Sequence, residues 1–247
     1  MIKEITSVNN SYIKWLLSLK DKQARNEYNL FIVEGYHLVE EAYKSGCLKE
    51  LLVSEDYHGS LVDVPCTYYS REVMKKISSM DTASNIMGLC DKKKDNCVIG
   101  EKIVILDGIQ DPGNLGTIIR SSLAFNIDTI VLTENTVDLY NPKVLRATQG
   151  MFFHINIVSM KGVDVIEMLK NNNIPVYGTD VNNGEDVRNL SSEEKEKFAL
   201  VMGNEGNGVR KEISDLCTKN LYINMNDKVE SLNVGVATSI LLYELGR

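Results

Sequence analysis

"ILDGIQDPGNLGTIIRSS", residues 105–122, is the stretch on which the reading of this chain turns. An apolar run, Ile103 to Leu106, ends at Asp107; a glycine-bearing turn follows, and then a helical pattern that carries Arg120. Strand, tight turn and helix form the unit of a parallel α/β sheet, where ligands gather beyond the carboxyl ends of the strands. Gly113 and Gly116 allow a sharp turn and close backbone approach. Asn114 is an N-cap candidate, and Gly116 and Arg120, four residues apart, share a helix face across which a guanidinium can project. The glycine spacing is G-x-x-G. A dinucleotide loop needs G-x-G-x-x-G and a P-loop needs G-x-x-x-x-G-K-[ST], so neither fits. Taken alone, the stretch suits an ordinary turn with a surface arginine as well as it suits a substrate loop.

Outward from this stretch, strands and helices alternate. KIVILD, DTIVLT, HINIVS, PVYGTD, FALVMG and NLYIN read as strands. Helical patterns lie after Asn114, over 142–150, over 163–172 and after Gly208, and a last helix runs through SLNVGVATSILLYELGR. This alternation predicts a mostly parallel sheet covered on both faces. Residues 1–95 read as a separate small α/β unit. It has one amphipathic helix over NNSYIKWLLSLKDKQARNEY, a strand at FIVEG, a helix YHLVEEAYKSG closed by Gly46, strands at LKELLVSED and VPCTYYS, and a helix at REVMKKISSM. The charged stretch DKKKDNCVIGE separates it from residues 96–247.

Composition narrows the function classes. The 247 residues are 43% hydrophobic and 25% charged, an ordinary globular mixture. With no run of about 18 apolar residues and no apolar core in the N-terminal segment, the reading is a cytoplasmic protein without membrane contact. Five scattered cysteines and three isolated histidines give neither a disulfide framework nor zinc-ligand spacing, and no metal is expected. Net charge is −7; residues 1–95 hold 13 Lys+Arg against 14 Asp+Glu, and residues 96–247 hold 14 against 20. Lys14, Lys20, Lys22 and Arg25 cluster, and on charge alone a solvated helix face is the simpler account.

Two further loops follow strands. In VMGNEGNGVR, 201–210, Glu205 stands between Gly203 and Gly206, where a flat ligand can lie against bare backbone. The glutamate can accept from neighbouring amides or face a substrate. In INMNDKVESLNVGVATSILLYE, 223–244, Ser231 and Asn233 stand before a strongly apolar helix, and Ser231 reads as its N-cap.

In this order and spacing, DPGNLGTIIR, VMGNEGNGV and INM…VESLNV with its apolar helix resemble the three motifs of the SpoU (TrmH-like) RNA ribose 2′-O-methyltransferases, in the SPOUT superfamily. The resemblance spans residues 103–247, and the N-terminal region looks like the small RNA-binding domain that precedes many of these catalytic domains. It implies a SPOUT-type α/β parallel sheet with a C-terminal trefoil knot, a homodimer in which the partner subunit helps form the active site, and S-adenosylmethionine as cofactor. By motif matching it implies Thr179, Gly203, Ile223, Met225 and Leu232 as cofactor-binding residues and Asn114, Arg120, Glu205, Ser231 and Asn233 as the catalytic set. Asn224 stands where the family usually has proline. The implied substrate is structured RNA, with large-subunit (23S) ribosomal RNA favoured by the two-domain plan. A tRNA substrate and a non-catalytic RNA-binding or ribosome-assembly protein of the same fold are the alternatives.

Overall fold

Apolar runs of four to seven residues make most of the strands, two shorter polar strands stand at sheet edges, and helices of four to thirteen residues join them. The computed structural model describes residues 3–59, 63–93, 98–181 and 183–246. In chain order the elements are β1 (Lys3–Ile5), α1 (Ser11–Ser18), α2 (Lys22–Tyr28), β2 (Leu30–Glu34), α3 (Tyr36–Lys44), β3 (Leu48–Ser54), β4 (Cys66–Tyr69), α4 (Arg71–Ile77) and β5 (Ile86–Asp91). Next come β6 (Lys102–Asp107), α5 (Pro112–Ala124), β7 (Thr129–Leu132), α6 (Pro142–Ala147), β8 (Asn156–Ser159), α7 (Gly162–Asn171) and β9 (Val176–Thr179). The chain ends with β10 (Glu185–Asp186), α8 (Ser192–Glu196), β11 (Phe198–Gly203), α9 (Lys211–Ser214), β12 (Lys219–Tyr222) and α10 (Val234–Leu245). Two compact units result. One runs to residue 94 and also takes Asp138–Phe153; the other comprises the stretch from 95 to Val137 and everything from His154 on. The 138–153 segment, with α6, therefore belongs with the first unit although it lies within the second region of the sequence.

The first unit holds a five-stranded mixed sheet, ordered β1-β4-β3-β5-β2. Its β5 pairs antiparallel with both β2 and β3 and is absent from the sequence reading, which passed from a helix straight to the charged stretch. The disguise is Gly88 in mid-strand: a Cβ there would lie 2.6 Å from Leu48 Cδ1, so the glycine answers to close packing and not to a turn. The single helix expected over residues 9–28 is two. Asn10 caps the first, and Asp21 is extended (φ −87°, ψ 139°) before the second begins. Arg25 fills the break: its Nη1 donates to Leu19 O (2.9 Å) and Lys20 O (2.6 Å), and its Nη2 pairs with Asp138 (2.7 Å). Arg25 is thus a buried strut, not part of a solvated basic face. Residues 94–97, at the centre of the expected linker, lie outside the described residues, and Cys97 with them; Cys47, Cys66, Cys90 and Cys217 are free thiols.

The second unit is a seven-stranded sheet ordered β10-β12-β9-β11-β6-β7-β8, parallel at every pairing. One face packs Ile103, Ile105, Val131, Val176 and Val201 against Val165, Ile166 and Leu169 of α7. Each such side chain contributes about 1.5–3 kcal/mol on burial. Among the described residues no helix is long and apolar enough to cross a membrane. The sheet order leaves the ends of β6, β9, β11 and β12 side by side, and the polar loops follow those ends.

Candidate active site

Three loops meet over a cleft of about 730 Å³, a volume suited to a ligand of a few hundred daltons. The loop after β11 supplies one wall, with Gly203, Asn204, Glu205 and the residues to Val209. The β9 end supplies Thr179 and Asp180, and the segment after β12 supplies Ile223, Met225, Ser231, Leu232 and Asn233. Leu221, Ala237 and Leu241 give the cleft an apolar floor.

Gly203 shows why this loop needs bare backbone. A Cβ at that position would lie 2.1 Å from both the Gly208 carbonyl carbon and the Val209 nitrogen. The loop doubles back on itself there: Asn204 and Gly208 exchange main-chain hydrogen bonds (2.9 Å each), and Gly208 takes φ +68°. Asn204 Oδ1 accepts from the Gly206 and Asn207 amides (2.9 and 3.2 Å), which stiffens the turn.

Glu205 leans out of this loop onto the first one. Its carboxylate accepts from the Gln110 N–H (3.3 Å), the Asp111 N–H (3.2 Å) and Asn114 Nδ2 (3.1 Å). Asn114 Oδ1 in turn accepts from Asn233 Nδ2 (2.8 Å). Three residues from three loops therefore form one continuous chain, Glu205–Asn114–Asn233. Burial pushes the Glu205 carboxyl up, but the bonds from Asn114, Asp111 and Gln110 outweigh it and hold the group below the usual carboxylate range.

The capping at both helices differs from the sequence reading. Asp111, not Asn114, caps α5: its side chain accepts from the Asn114 N–H (2.8 Å), which puts Asn114 inside the first turn with its side chain free to bridge. Asn233, not Ser231, caps α10, accepting from the Gly235 and Val236 amides (3.0 and 3.3 Å). Asp111 lies three residues before the expected cap, and Asn233 two residues after it. Ser231 is exposed at the cleft wall.

All five residues expected at the cofactor, Thr179, Gly203, Ile223, Met225 and Leu232, line the cleft. Thr179 spends its hydroxyl hydrogen on Val201 O (3.1 Å). Glu205, Ser231 and Asn233 line it too, and Asn114 joins through its two partners. Arg120 does not join them. It is exposed on α5, is absent from the cleft wall, and makes no hydrogen bond or ion pair among the described residues; Gly116, one turn earlier, is buried instead of sharing an open face with it.

Sequence reasoning missed Asn204 and the pair Asp107–Arg210. Asp107 was visible as the strand's last residue, but only the fold brings Arg210 to it (2.7 Å). It also missed a convergence of His37, Glu40 and Glu41 in the first unit, whose ligand atoms lie within 4.8 Å of one another. Lys44 pairs with both glutamates there (3.4 and 3.0 Å), so the cation among them is an ammonium.

The sequence model of the SpoU rRNA Methylase family matches residues 101–243, and that of the MRM3-like substrate binding domain matches residues 10–88. The chain is 36% identical over 248 residues, 99% of each chain, to the 23S rRNA (guanosine(2553)-2′-O)-methyltransferase RlmP of Bacillus subtilis. Among solved structures it is similar to a TrmH-family putative RNA methyltransferase from Porphyromonas gingivalis, at TM-score 0.86 and 30% identity, covering 97% of this chain and 98% of that one. It is similar also to an AdoMet-bound rRNA methyltransferase from Sinorhizobium meliloti, at TM-score 0.87 and 28% identity, covering 99% and 97%.

Proposed function

Because the chain belongs to the SpoU rRNA methylase family, we propose that it methylates a ribose 2′-hydroxyl of large-subunit ribosomal RNA, with S-adenosylmethionine as methyl donor. The observation that carries this reading is the cleft closed by the Glu205–Asn114–Asn233 chain. The lining fits the cofactor: a loop that Gly203 lets fold back on itself forms one wall, and Leu221, Ala237 and Leu241 give an apolar floor. When bound, the cofactor supplies an electrophilic methyl and a neutral leaving thioether.

The remaining difficulty is a weakly acidic nucleophile that must be aligned, and alignment is what these residues do. Asn114 is fixed at both ends by Glu205 and Asn233, which leaves one amide hydrogen to orient the incoming hydroxyl beside Ser231. Glu205 stays ionised at neutral pH and holds the substrate loop by its main chain. Arg120 is assigned no proton transfer, because a guanidinium offers a planar fork of donors and no acceptor. It acts as a two-pronged clamp on the phosphate beside the target ribose and favours the hydroxyl's ionised form electrostatically.

Arg120 stands apart from the cleft of its own chain, and this favours a homodimer in which it serves the partner's site. The largely apolar α10 supports that arrangement, because Val236 and Tyr243 are about half exposed on it while α10 packs against α5, the helix of Arg120. The first unit takes the structured RNA and the second performs the transfer, along a chain path that carries the family's knot, in the cytoplasm where ribosomal RNA is made.

Ribose-methylation mapping of total RNA from cells with and without the gene tests the reading. Loss of one 2′-O-methyl mark in large-subunit RNA is expected; loss in tRNA, or no loss, counts against it. Calorimetric titration with S-adenosylmethionine separates an enzyme from a fold that only binds RNA.

A further inference from the structure

Asp107 and Arg210 lie behind the cleft and touch none of it. Asp107 is 1% exposed; its carboxylate accepts from the Arg210 main-chain N–H (2.9 Å) and Nε (2.8 Å) and from the Thr133 hydroxyl (3.0 Å), and it is ion-paired with Arg210 Nη2 (2.7 Å). A buried carboxylate so bonded is a fixed point. The glycine-rich loop leaves β11 at Gly203, which is in register with Asp107 across the β6–β11 pair. It returns at Arg210, which ends on the same Asp107. Both ends of the loop are therefore held at one residue. Between them, Asn204 Nδ2 donates to Gly108 O (2.9 Å) and Glu205 reaches Asn114.

We propose that Asp107 and Arg210 are positioning residues that clasp the cofactor loop to the substrate loop, so that filling the cleft and aligning the RNA hydroxyl are coupled events. The proposal rests on the reading above, in which the cleft takes the cofactor and Asn114 faces the ribose. Arginine is required for its shape. One guanidinium spans Asp107, Glu134 (3.0 Å) and Glu212 (2.8 Å), and a lysine ammonium has no fork with which to do so. Neither residue of the pair contacts the cleft, so any effect on turnover must pass through the loop to Glu205. The coupling acts on alignment of the hydroxyl and not on affinity, so it is read in kcat and not in KM for RNA.

The test compares wild type with Arg210→Lys, Glu205→Gln and the double variant. It measures methyl transfer to unmodified large-subunit RNA, calorimetry with S-adenosylmethionine, and thermal melting. Arg210→Lys should lower kcat roughly ten- to a hundredfold with KM for RNA within about twofold, and this loss should persist at temperatures well below its melting point. Glu205→Gln should cost less in the Arg210→Lys background than in wild type, because both act through one contact. Unchanged kcat in folded Arg210→Lys, or fully additive effects, would overturn the proposal. Should Arg210→Lys not fold, Thr133→Val removes one bond from Asp107 and no charge, and must show a smaller fall in kcat with the same unmoved KM; an unmoved kcat there also overturns it. A wild type that binds no S-adenosylmethionine fails the earlier reading and this one together, whereas an active wild type with an unaffected Arg210→Lys fails this one alone.

Discussion

Glu34 closes β2 in the first unit and Glu205 sits after β11 in the second, and each carboxylate is caught by amides and side-chain donors of a neighbouring loop. Glu34 accepts from the Ser78 hydroxyl, the Ser79 amide and hydroxyl (3.1 and 3.2 Å) and the Ser84 amide (3.2 Å), and is 8% exposed. Glu205 accepts from two amides and Asn114, yet stands exposed on a cleft wall with its network running on to Asn233. The same chemistry thus serves two ends. Where the carboxylate itself is buried, it pins a loop. Where the network stops at an open wall, it holds groups ready for something that arrives. Removing the first should cost stability, and removing the second should cost function.

The largest expected effect breaks the open arrangement at its base. Gly203→Ala drives a Cβ into the backbone of Gly208 and Val209, atoms that cannot swing aside. The loop must open, at a cost of about 3 kcal/mol or more, and the cleft should lose S-adenosylmethionine altogether. Melting and calorimetry check both; an alanine variant with unaltered affinity would refute the close-approach account. Next comes the closed arrangement. Glu34→Ala removes the shared acceptor of two hydroxyls and two amides, the Ser78 hydroxyl among them buried, worth about 2–4 kcal/mol in urea unfolding. Methyl transfer per folded molecule should survive, measured cold, and a selective loss of turnover would erase the contrast between the two carboxylates.

Glu205→Gln should invert that pattern. Stability moves by about 1 kcal/mol or less, since the group is exposed, while kcat drops roughly ten- to a hundredfold as Asn114 loses its anchor. Arg120→Lys should leave melting unchanged within about 0.5 kcal/mol and lower kcat/KM for RNA roughly tenfold, because charge is kept and the fork is lost. Near-wild-type turnover in that variant would remove the clamp from the mechanism.

What the sequence disclosed follows the same division. The parallel sheet was legible because its strands are continuous apolar runs, such as KIVILD and FALVMG, set between turn residues. The cleft-lining residues were legible because the order of three motifs resembles a family pattern, and not because any one loop declared itself. β5 was not, since a packed glycine in mid-strand reads as a break. Nor was the break between α1 and α2, which depends on Arg25 reaching back to two carbonyls and across to Asp138, 113 positions away. The caps were misplaced for a related reason. Asp111 and Asn233 cap, while Asn114 and Ser231 look the part, and only the position of the first helical turn decides between them.

The smallest effect is the one with a defined sign. Burial raises the Glu205 carboxyl, and its hydrogen bonds lower it further than that, so the folded group titrates below its unfolded value near 4.3. A depressed carboxyl contributes stability that is complete above the unfolded value and is lost as pH falls through the folded one. The stability difference between wild type and Glu205→Gln should therefore be flat from neutral pH to about 5 and then shrink on further acidification. Other depressed carboxyls do not confuse the comparison. Glu194, drawn down to about 2 by the Lys219 ammonium and the Ser191 amide, titrates alike in both proteins and cancels in the difference. Urea unfolding of the pair at several pH values reads the result directly. A difference that grows on acidification would mean that the carboxyl is raised, as burial alone would make it, and that the bonds from Asn114 and the two amides do not hold the charged form.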